Sequence, residues 1–530
     1  MTDETGSPLE SLVEKALDRI NFKSNVHSTS HVTSSGNFVW KKRKILPSDD
    51  VPLGAGRKKD SALPLPKGAA APSAPQSGAV QVLSAPDGEE GGIFATIDGA
   101  VAAAKNAQLE LQDVSLSTRK KIIAAMREAL MKNGDILSVM AVKETKMGRL
   151  DSKSIKHQLI AEKTPGVEDV STVAVTGDYG LTLGERAPWG VIASVTPVTN
   201  PSATVACNAI GMVAAGNSVV FSPHPTAKEV SLATMRLLNQ AIRSAGGPSN
   251  LLTSISEASI ANAKTLMDHR DVKLLVVTGG MHVVREAMKH GKKVIAAGPG
   301  NPPVVVDETV DIRKAAQDIL DGASFDNNIP CIAEKELIVV EAVADELKFH
   351  MKELGAYELS QWQLKRLEKV LLSENRGPGK AGVPNINFIG RDARVILAEI
   401  GVQVGDDIKL VIAETDFEHP FVWSELMMPV LPLVRARDID QAIGMAVRAE
   451  HGFRHTAMIH SLRVDTLTKM AKAADCTLLV KNGPCYDGLG IEGEGHASLT
   501  IASFTGEGMT SARHFTRERR CVLSGYLRIF

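Results

Sequence analysis

No stretch of this chain reaches the roughly 18 uncharged apolar residues that a membrane-spanning helix needs. The N-terminus carries Asp3, Glu4 and Glu10 where a secretory signal requires a basic start and an apolar middle, so the expectation is an intracellular protein with no membrane partner. A charge excess of one sign is missing too. The 60 Lys and Arg nearly cancel the 61 Asp and Glu, and no global field points to nucleic acid. Cysteine is sparse: Cys207, Cys331, Cys476, Cys485 and Cys521 are odd in number and far apart, without C-x-x-C or Cys/His ligand spacing. That pattern indicates neither a disulfide framework nor a metal site. The dinucleotide fingerprint G-x-G-x-x-G is also absent. What remains is the balance of a globular protein, 44% hydrophobic and 23% charged over 530 residues. Such a chain supports two or three domains, with a small molecule as the expected ligand.

Residues 8–20 carry Leu9, Leu12, Val13, Ala16, Leu17 and Ile20 at helical spacing behind Ser7 and Pro8, the pattern of a short amphipathic helix. Such a helix is marginal alone and needs a partner surface. A polar stretch, the cluster KKRK at 41–44 and the Ala/Pro/Gly/Ser-rich SALPLPKGAAAPSAPQSGAV follow, a composition that reads as a flexible linker. The expected organisation is a helix over 1–23, a linker over 24–91 and globular sequence from about Gly92. Three helical patterns then run from Ile93, broken at Asp113 and at Gly134, and STVAVTGDYGLTL over 171–183 suits a hairpin turning at Gly177 and Asp178.

Strand, helix and strand alternate from there. VIASV ends in a polar loop with Thr196, Pro197 and Asn200; Pro201 opens an apolar helix stopped by Gly216 and Asn217; SVVFS is the next strand. A helix over 227–245 and the strand KLLVVTGG, with Thr278, Gly279 and Gly280 at its end, continue the rhythm. This is an α/β pattern, in which ligands bind after the strands. Further on, SFDNNIPCIAEKELIVV places Cys331 between a polar turn and a core strand, where a thiol can project into a cleft. The competing possibility is an inert buried cysteine, since free cysteine usually behaves as a small hydrophobe. Cys485 in NGPCYDG is the second-best thiol, Cys207 and Cys476 sit in apolar patterns, and Cys521 lies in the strand-like RRCVL. His224, His419, His451, His455 and His496 are scattered and read as ordinary histidines.

The segments TPVTNP, VVTGG, AAGPGNPPVVVDE, FDNNIPCIAEKE, ELMMPV and TGEGMTSARHFTRERRCVL, in this order, resemble the aldehyde dehydrogenase superfamily. They are similar in particular to the CoA-acylating enzymes for propionaldehyde and acetaldehyde of bacterial microcompartments, and the resemblance spans about Gly92 to Phe530. It implies two α/β domains, dinucleotide-binding over 92–301 and cysteine-bearing over 302–505. It also implies a β oligomerisation extension built from the hairpin and 506–530, and hence a homodimer or homotetramer. Cys331 is then the nucleophile that attacks the aldehyde, and Asn200, with the Cys331 backbone N–H, is the oxyanion donor. For Asn200 the competing possibility is an N-cap ahead of Pro201.

The same resemblance assigns NAD binding to Thr196, Pro197, Ser222, Pro223, Thr278, Gly279 and Gly280, with Glu425 on the nicotinamide ribose. Ser222 stands where hydrolytic members carry a lysine, which leaves NAD versus NADP open. Ala296 occupies the position of the hydrolytic members' general-base glutamate, so the acyl group is expected to leave on a thiol, coenzyme A, and not on water. No metal is implied. The helix at 8–20 resembles peptides that dock enzymes to microcompartment shell proteins, which implies residence in the lumen. A phosphate-dependent semialdehyde dehydrogenase and a retired, shell-binding protein stand as alternatives. How Cys331 is activated stays open: no adjacent arginine or histidine supplies a cation, and Lys335 is a candidate.

Overall fold

The computed structural model describes residues 91–528; the helix and linker expected over 1–90 lie outside them. The short strand β1 (Ile93–Phe94) leads into three helices, α1 (Ile97–Asp113), α2 (Leu116–Thr145) and α3 (Leu150–Lys163). Thr96 and Ser115 cap α1 and α2 by accepting from the N–H groups of Gly99 and Thr118, the usual role of such residues at a helix start. Gly134 does not break α2, contrary to the sequence expectation. Its bare Cα is where α3 crosses, and a Cβ there would lie 2.9 Å from the Cβ of His157, so the glycine serves helix contact, not termination.

After the hairpin β2 (Val173–Gly177) and β3 (Gly180–Pro188) come β4 (Val191–Thr196), helix α4 (Pro201–Ala214), β5 (Ser218–Pro223), helix α5 (Lys228–Ser244), β6 (Leu252–Ile255), β7 (Val272–Thr278) and β8 (Lys293–Ala297). These strands and β1 form one six-stranded sheet in the order β1-β6-β5-β4-β7-β8, and every pairing is parallel. Parallel strands buried on both faces read as continuous apolar runs, which is why VIASV, SVVFS and KLLVV stand out in the sequence. Every residue of α4 is buried, as expected of a helix covered by sheet on one side and by α2, α3 and α5 on the other.

The second sheet has seven parallel strands. Its centre is β9 (Pro303–Val306) and β10 (Glu336–Val340); Val430–Ala436, Leu410–Glu414 and Ala356–Glu358 extend one side, Thr456–His460 and Leu478–Lys481 the other. The third sheet is β2, β3 and Thr516–Ser524, antiparallel throughout. Here β3 runs on to Pro188, five residues past the expected end of the hairpin, because the C-terminal strand pairs with its whole length. The architecture is two parallel α/β sheets with an antiparallel β extension, as the sequence leads one to expect.

Candidate active site

The position of Cys331 is set by a left-handed turn. Helix Ile312–Ser324 ends, and Asp326, Asn327 and Asn328 follow at φ +48°, +55° and +66°. Asn and Asp are the non-glycine residues that tolerate this region, normally singly; three in a row persist only when the surroundings hold each one. Asp326 accepts from the Arg149 N–H (2.7 Å) and from the ammonium groups of Lys153 (3.2 Å) and Lys156. The Asn327 amide donates to the Gly390 carbonyl and to Asp392, and the Asn328 amide to the carbonyls of Ala323 and Glu334. Lys335 closes the turn by donating to the Asn328 carbonyl, the Asn328 side-chain oxygen and the Pro330 carbonyl at 2.8–3.0 Å. Its buried ammonium therefore fixes the loop that carries Cys331.

Cys331 emerges half-buried. Burial pushes its thiol up to about 12, the Glu425 carboxylate adds to the rise, and Lys335 and Lys156 oppose it. Glu425 is therefore no ordinary surface carboxylate. It accepts from the Gly300 N–H, and burial raises it to about 7 against the pull of Lys335. Gly300 is required where it stands, since a Cβ would lie 2.7 Å from the Cys331 carbonyl oxygen and 3.1 Å from the His455 ring. His455 is buried against this segment, held neutral at about 4 by burial and by Lys335, with Nδ1 on Thr456 and Nε2 unpartnered.

Asn200 is the N-cap residue of α4 by position, yet its side chain makes no capping bond. Its Oδ1 accepts from Lys156, and its Nδ2 has only a 3.5 Å contact with Thr199 Oγ1. The structural alternative for Asn200 thus fails. Lys156 joins Asn200 to Asp326, five residues before Cys331, and its charge also acts on the thiol.

The residues expected to hold a dinucleotide collect on the carboxyl rim of the first sheet. Thr196 pairs with Pro223, Val195 with both Ser222 and Val277, and Thr278 with Ala297. Thr196, Ser222, Pro223 and Thr278 are thereby strand-end neighbours, with Pro197, Gly279 and Gly280 in the loops beyond. β4 and β7 flank the point where the strand order reverses, the place where open α/β sheets bind dinucleotides. The Thr196 hydroxyl is buried without a partner, and a Cβ on Gly280 would meet nothing within 4 Å; a polar ligand lying along the rim fits both. Asn200 follows Thr196 by four residues and Gly300 follows Ala297 by three, so the loops leaving this rim lead directly to the thiol.

Ala296 is fully buried among Val277, Ala287 and Val294 on the outer face of the sheet and brings no ionisable group. Of the other cysteines, Cys207 is buried and Cys485 is fully buried, its thiol directed at the Gly322 carbonyl. Cys476, expected in the core, is only half-buried because it lies between the helix end and the edge strand Leu478–Lys481. Cys521 is exposed on the C-terminal strand. Among the described residues no group of three His, Cys, Asp or Glu is placed to hold a metal ion, and no helix is long and apolar enough to cross a membrane. The sequence reading missed Lys153, Lys156 and Asp326. The available signal was DSKSIK, whose two lysines three apart share one helix face, together with the aspartate of FDNNIPC.

A thiol linked through Lys156 to an amide donor, with loops leading to both from the rim of a dinucleotide-type sheet, is an arrangement suited to an oxidoreductase that works through a cysteine. The sequence profile of the Aldehyde dehydrogenase family matches residues 91–357. The chain is 53% identical over 441 residues to the acetaldehyde dehydrogenase (acetylating) EutE of Salmonella typhimurium, covering 83% of this chain and 94% of that one. A propionaldehyde dehydrogenase from the Clostridium phytofermentans fucose utilisation bacterial microcompartment superposes with a TM-score of 0.81 at 49% identity, over 83% of this chain and 100% of the other. The Rhodopseudomonas palustris propionaldehyde dehydrogenase, solved with bound CoA and an acylated cysteine, gives 0.81 at 48% identity with the same coverage. The chain belongs to the aldehyde dehydrogenase family.

Proposed function

We propose that this protein oxidises a short aldehyde, propionaldehyde or acetaldehyde, to its acyl-CoA with reduction of NAD, Cys331 being the nucleophile. The observation that carries the reading is that Lys156 bonds both Asn200 and Asp326, bringing an amide donor and the cysteine turn to one point. The thiolate of Cys331 adds to the carbonyl carbon, and the developing oxygen anion is met by the Asn200 amide and the Cys331 backbone N–H. Glu425, Lys335 and Lys156 are the charges acting on the sulfur, the carboxylate opposing the thiolate and the two ammonium groups favouring it. Thr196, Pro197, Ser222, Pro223, Thr278, Gly279 and Gly280 would hold NAD along the rim, where it would supply the hydride acceptor for oxidation of the Cys331 adduct to an acyl thioester. With Ala296 at its position no glutamate side chain activates water from β8, so the thiol of coenzyme A takes the acyl group and Cys331 departs as thiolate.

The test is NADH formation from NAD and each aldehyde, with and without coenzyme A. Sustained turnover only with coenzyme A is the expected result; equal turnover without it means hydrolysis. Support by phosphate instead would favour the semialdehyde alternative. Cys331→Ala should abolish turnover with the fold intact, and the ratio of kcat/KM for the two aldehydes reads the chain length. Residues 8–20 are the proposed tether to microcompartment shell proteins, by their apolar stripe, and this places the enzyme in the lumen. Deleting residues 1–24 is expected to leave specific activity unchanged and to release the enzyme from co-purifying shell; retained association sinks the tether.

A further inference from the structure

Lys153, Lys156 and Asp326 form a cluster whose composition exceeds what the turn needs. Their side chains are 3%, 2% and 0% exposed, and both ammonium groups address the same carboxylate oxygen, Oδ2. Asp326 Oδ1 already has the Arg149 N–H, the Asp326 N–H donates to Ser152, and Oδ2 has Lys153. Lys153 also donates to the Thr199 carbonyl at 3.2 Å. One lysine would therefore pair the carboxylate and satisfy the turn, and burying a second charge is costly unless it does something the first cannot.

What Lys156 does in addition is take the Asn200 oxygen. An ammonium is a pure donor, so this contact fixes which way the amide is flipped, a choice otherwise set only by the hydrogen-bond network. With Oδ1 held, Nδ2 is left with the long Thr199 contact alone. The ring of Phe325, 5.8 Å from the ammonium, closes the apolar side.

We infer that Lys156 is a positioning residue: anchored on Asp326 of the nucleophile's own turn, its ammonium grips the Asn200 side-chain oxygen and aims the amide N–H group at the oxyanion. This rests on the reading of Cys331 as nucleophile and Asn200 as oxyanion donor. The arrangement couples donor and nucleophile mechanically, since α3 and α4 cannot move the amide without pulling on the carboxylate five residues from the sulfur. It also polarises the amide, because a cation on the oxygen strengthens the N–H as a donor.

The experiment is a double-mutant cycle on the full chain, reading kcat/KM for the aldehyde at saturating NAD and coenzyme A. Asn200→Ala is expected to lose about 10² to 10³-fold. Lys156→Met is expected to lose on the order of 10²-fold, mostly in kcat, because its contact serves the transition state. If Lys156 acts through Asn200, the double variant falls only a few-fold below Asn200→Ala alone. Lys156→Gln, which keeps a donor without the charge, should recover part of the loss; it also replaces Met in the cycle if the Met variant does not give a folded protein by thermal melting. Losses that multiply in the double variant, or a folded Lys156 variant within about three-fold of wild type, overturn the inference and leave the role of Cys331 standing. A silent Asn200→Ala, or turnover by Cys331→Ala, overturns the functional reading itself.

Discussion

Cys331 holds its proton more tightly than a free cysteine because enclosure and the Glu425 carboxylate both penalise a thiolate, and Lys335 and Lys156 only partly offset them. Thiolate is the reactive form, so alkylation of Cys331 by iodoacetamide in the ligand-free enzyme should be slow at pH 7 and still rising at pH 10, without the plateau of an activated cysteine. Glu425 is itself raised to about 7 and is ionised above that pH, where it repels a thiolate. Glu425→Gln should therefore move the alkylation profile to lower pH, each unit of displacement giving about ten-fold faster alkylation below the thiol's pKa. An unmoved profile would mean that the carboxylate does not set the thiol's proton affinity. Gly300→Ala tests the same centre sterically: its Cβ would crowd the Cys331 carbonyl, and turnover should fall at least ten-fold, read as kcat at saturating substrates.

At the scale of elements, helix α3 joins the turn before Cys331 to helices α2 and α4, and it does so with a polar face. Ser152, Lys153, Lys156 and His157 are all buried. His157 bonds Ser138 of α2 at 3.0 Å and Ser202 of α4 at 2.8 Å, so one imidazole ties three helices together. Burial and the two lysines depress it to about 3. As pH falls below the ordinary histidine value near 6.5, the unfolded chain takes a proton that folded His157 refuses, so its contribution is present above 6.5 and lost toward 3. Between pH 7 and pH 5 the wild type should lose about 2 kcal/mol more stability than His157→Gln, as read from urea unfolding at the two pH values.

This helix also shows why part of the molecule was not legible in the sequence. VIASV, KLLVV and the helix after Pro201 announce themselves because elements buried on all sides are apolar along their length. In α3 the first half of the buried face is made of Ser152, Lys153, Lys156 and His157, residue types that a sequence reading assigns to solvent. The partner that makes their burial tolerable, Asp326, lies 170 residues from Lys156 and joins them only in the fold. The same holds for Gly134, which reads as a helix stop until His157 is seen packed against it. For the candidate site, Cys331, Asn200 and the rim residues were proposed through motif resemblance; Lys156 was not, because what marks it is contact with Asn200 and Asp326, far from it in sequence.

For the whole molecule the unresolved balance is at the third sheet. β2 is exposed along its length, and the C-terminal strand is exposed after Thr516, although three thin strands open on both faces do not make a stable unit in water. Register places Val175, Thr182 and Val522 in one row across the sheet. Val173, Val175 and Val522 are 61%, 64% and 58% exposed. The same face continues past Gly184 to Arg186, Glu518 and Arg520, and lines a shallow cavity of about 310 Å³. An apolar strip running into a charged one is the make-up of an interface core and its rim. The occupant we propose is a second copy of this chain, the homodimer or homotetramer that the sequence resemblance implies. Val175→Asp puts a carboxylate at the β2 end of this row without touching the loop that carries Cys331. It should shift the protein to a smaller species in sedimentation velocity, and it should lower the thermal midpoint by exposing the extension. An unchanged sedimentation coefficient would mean that this face is not where copies of the chain meet.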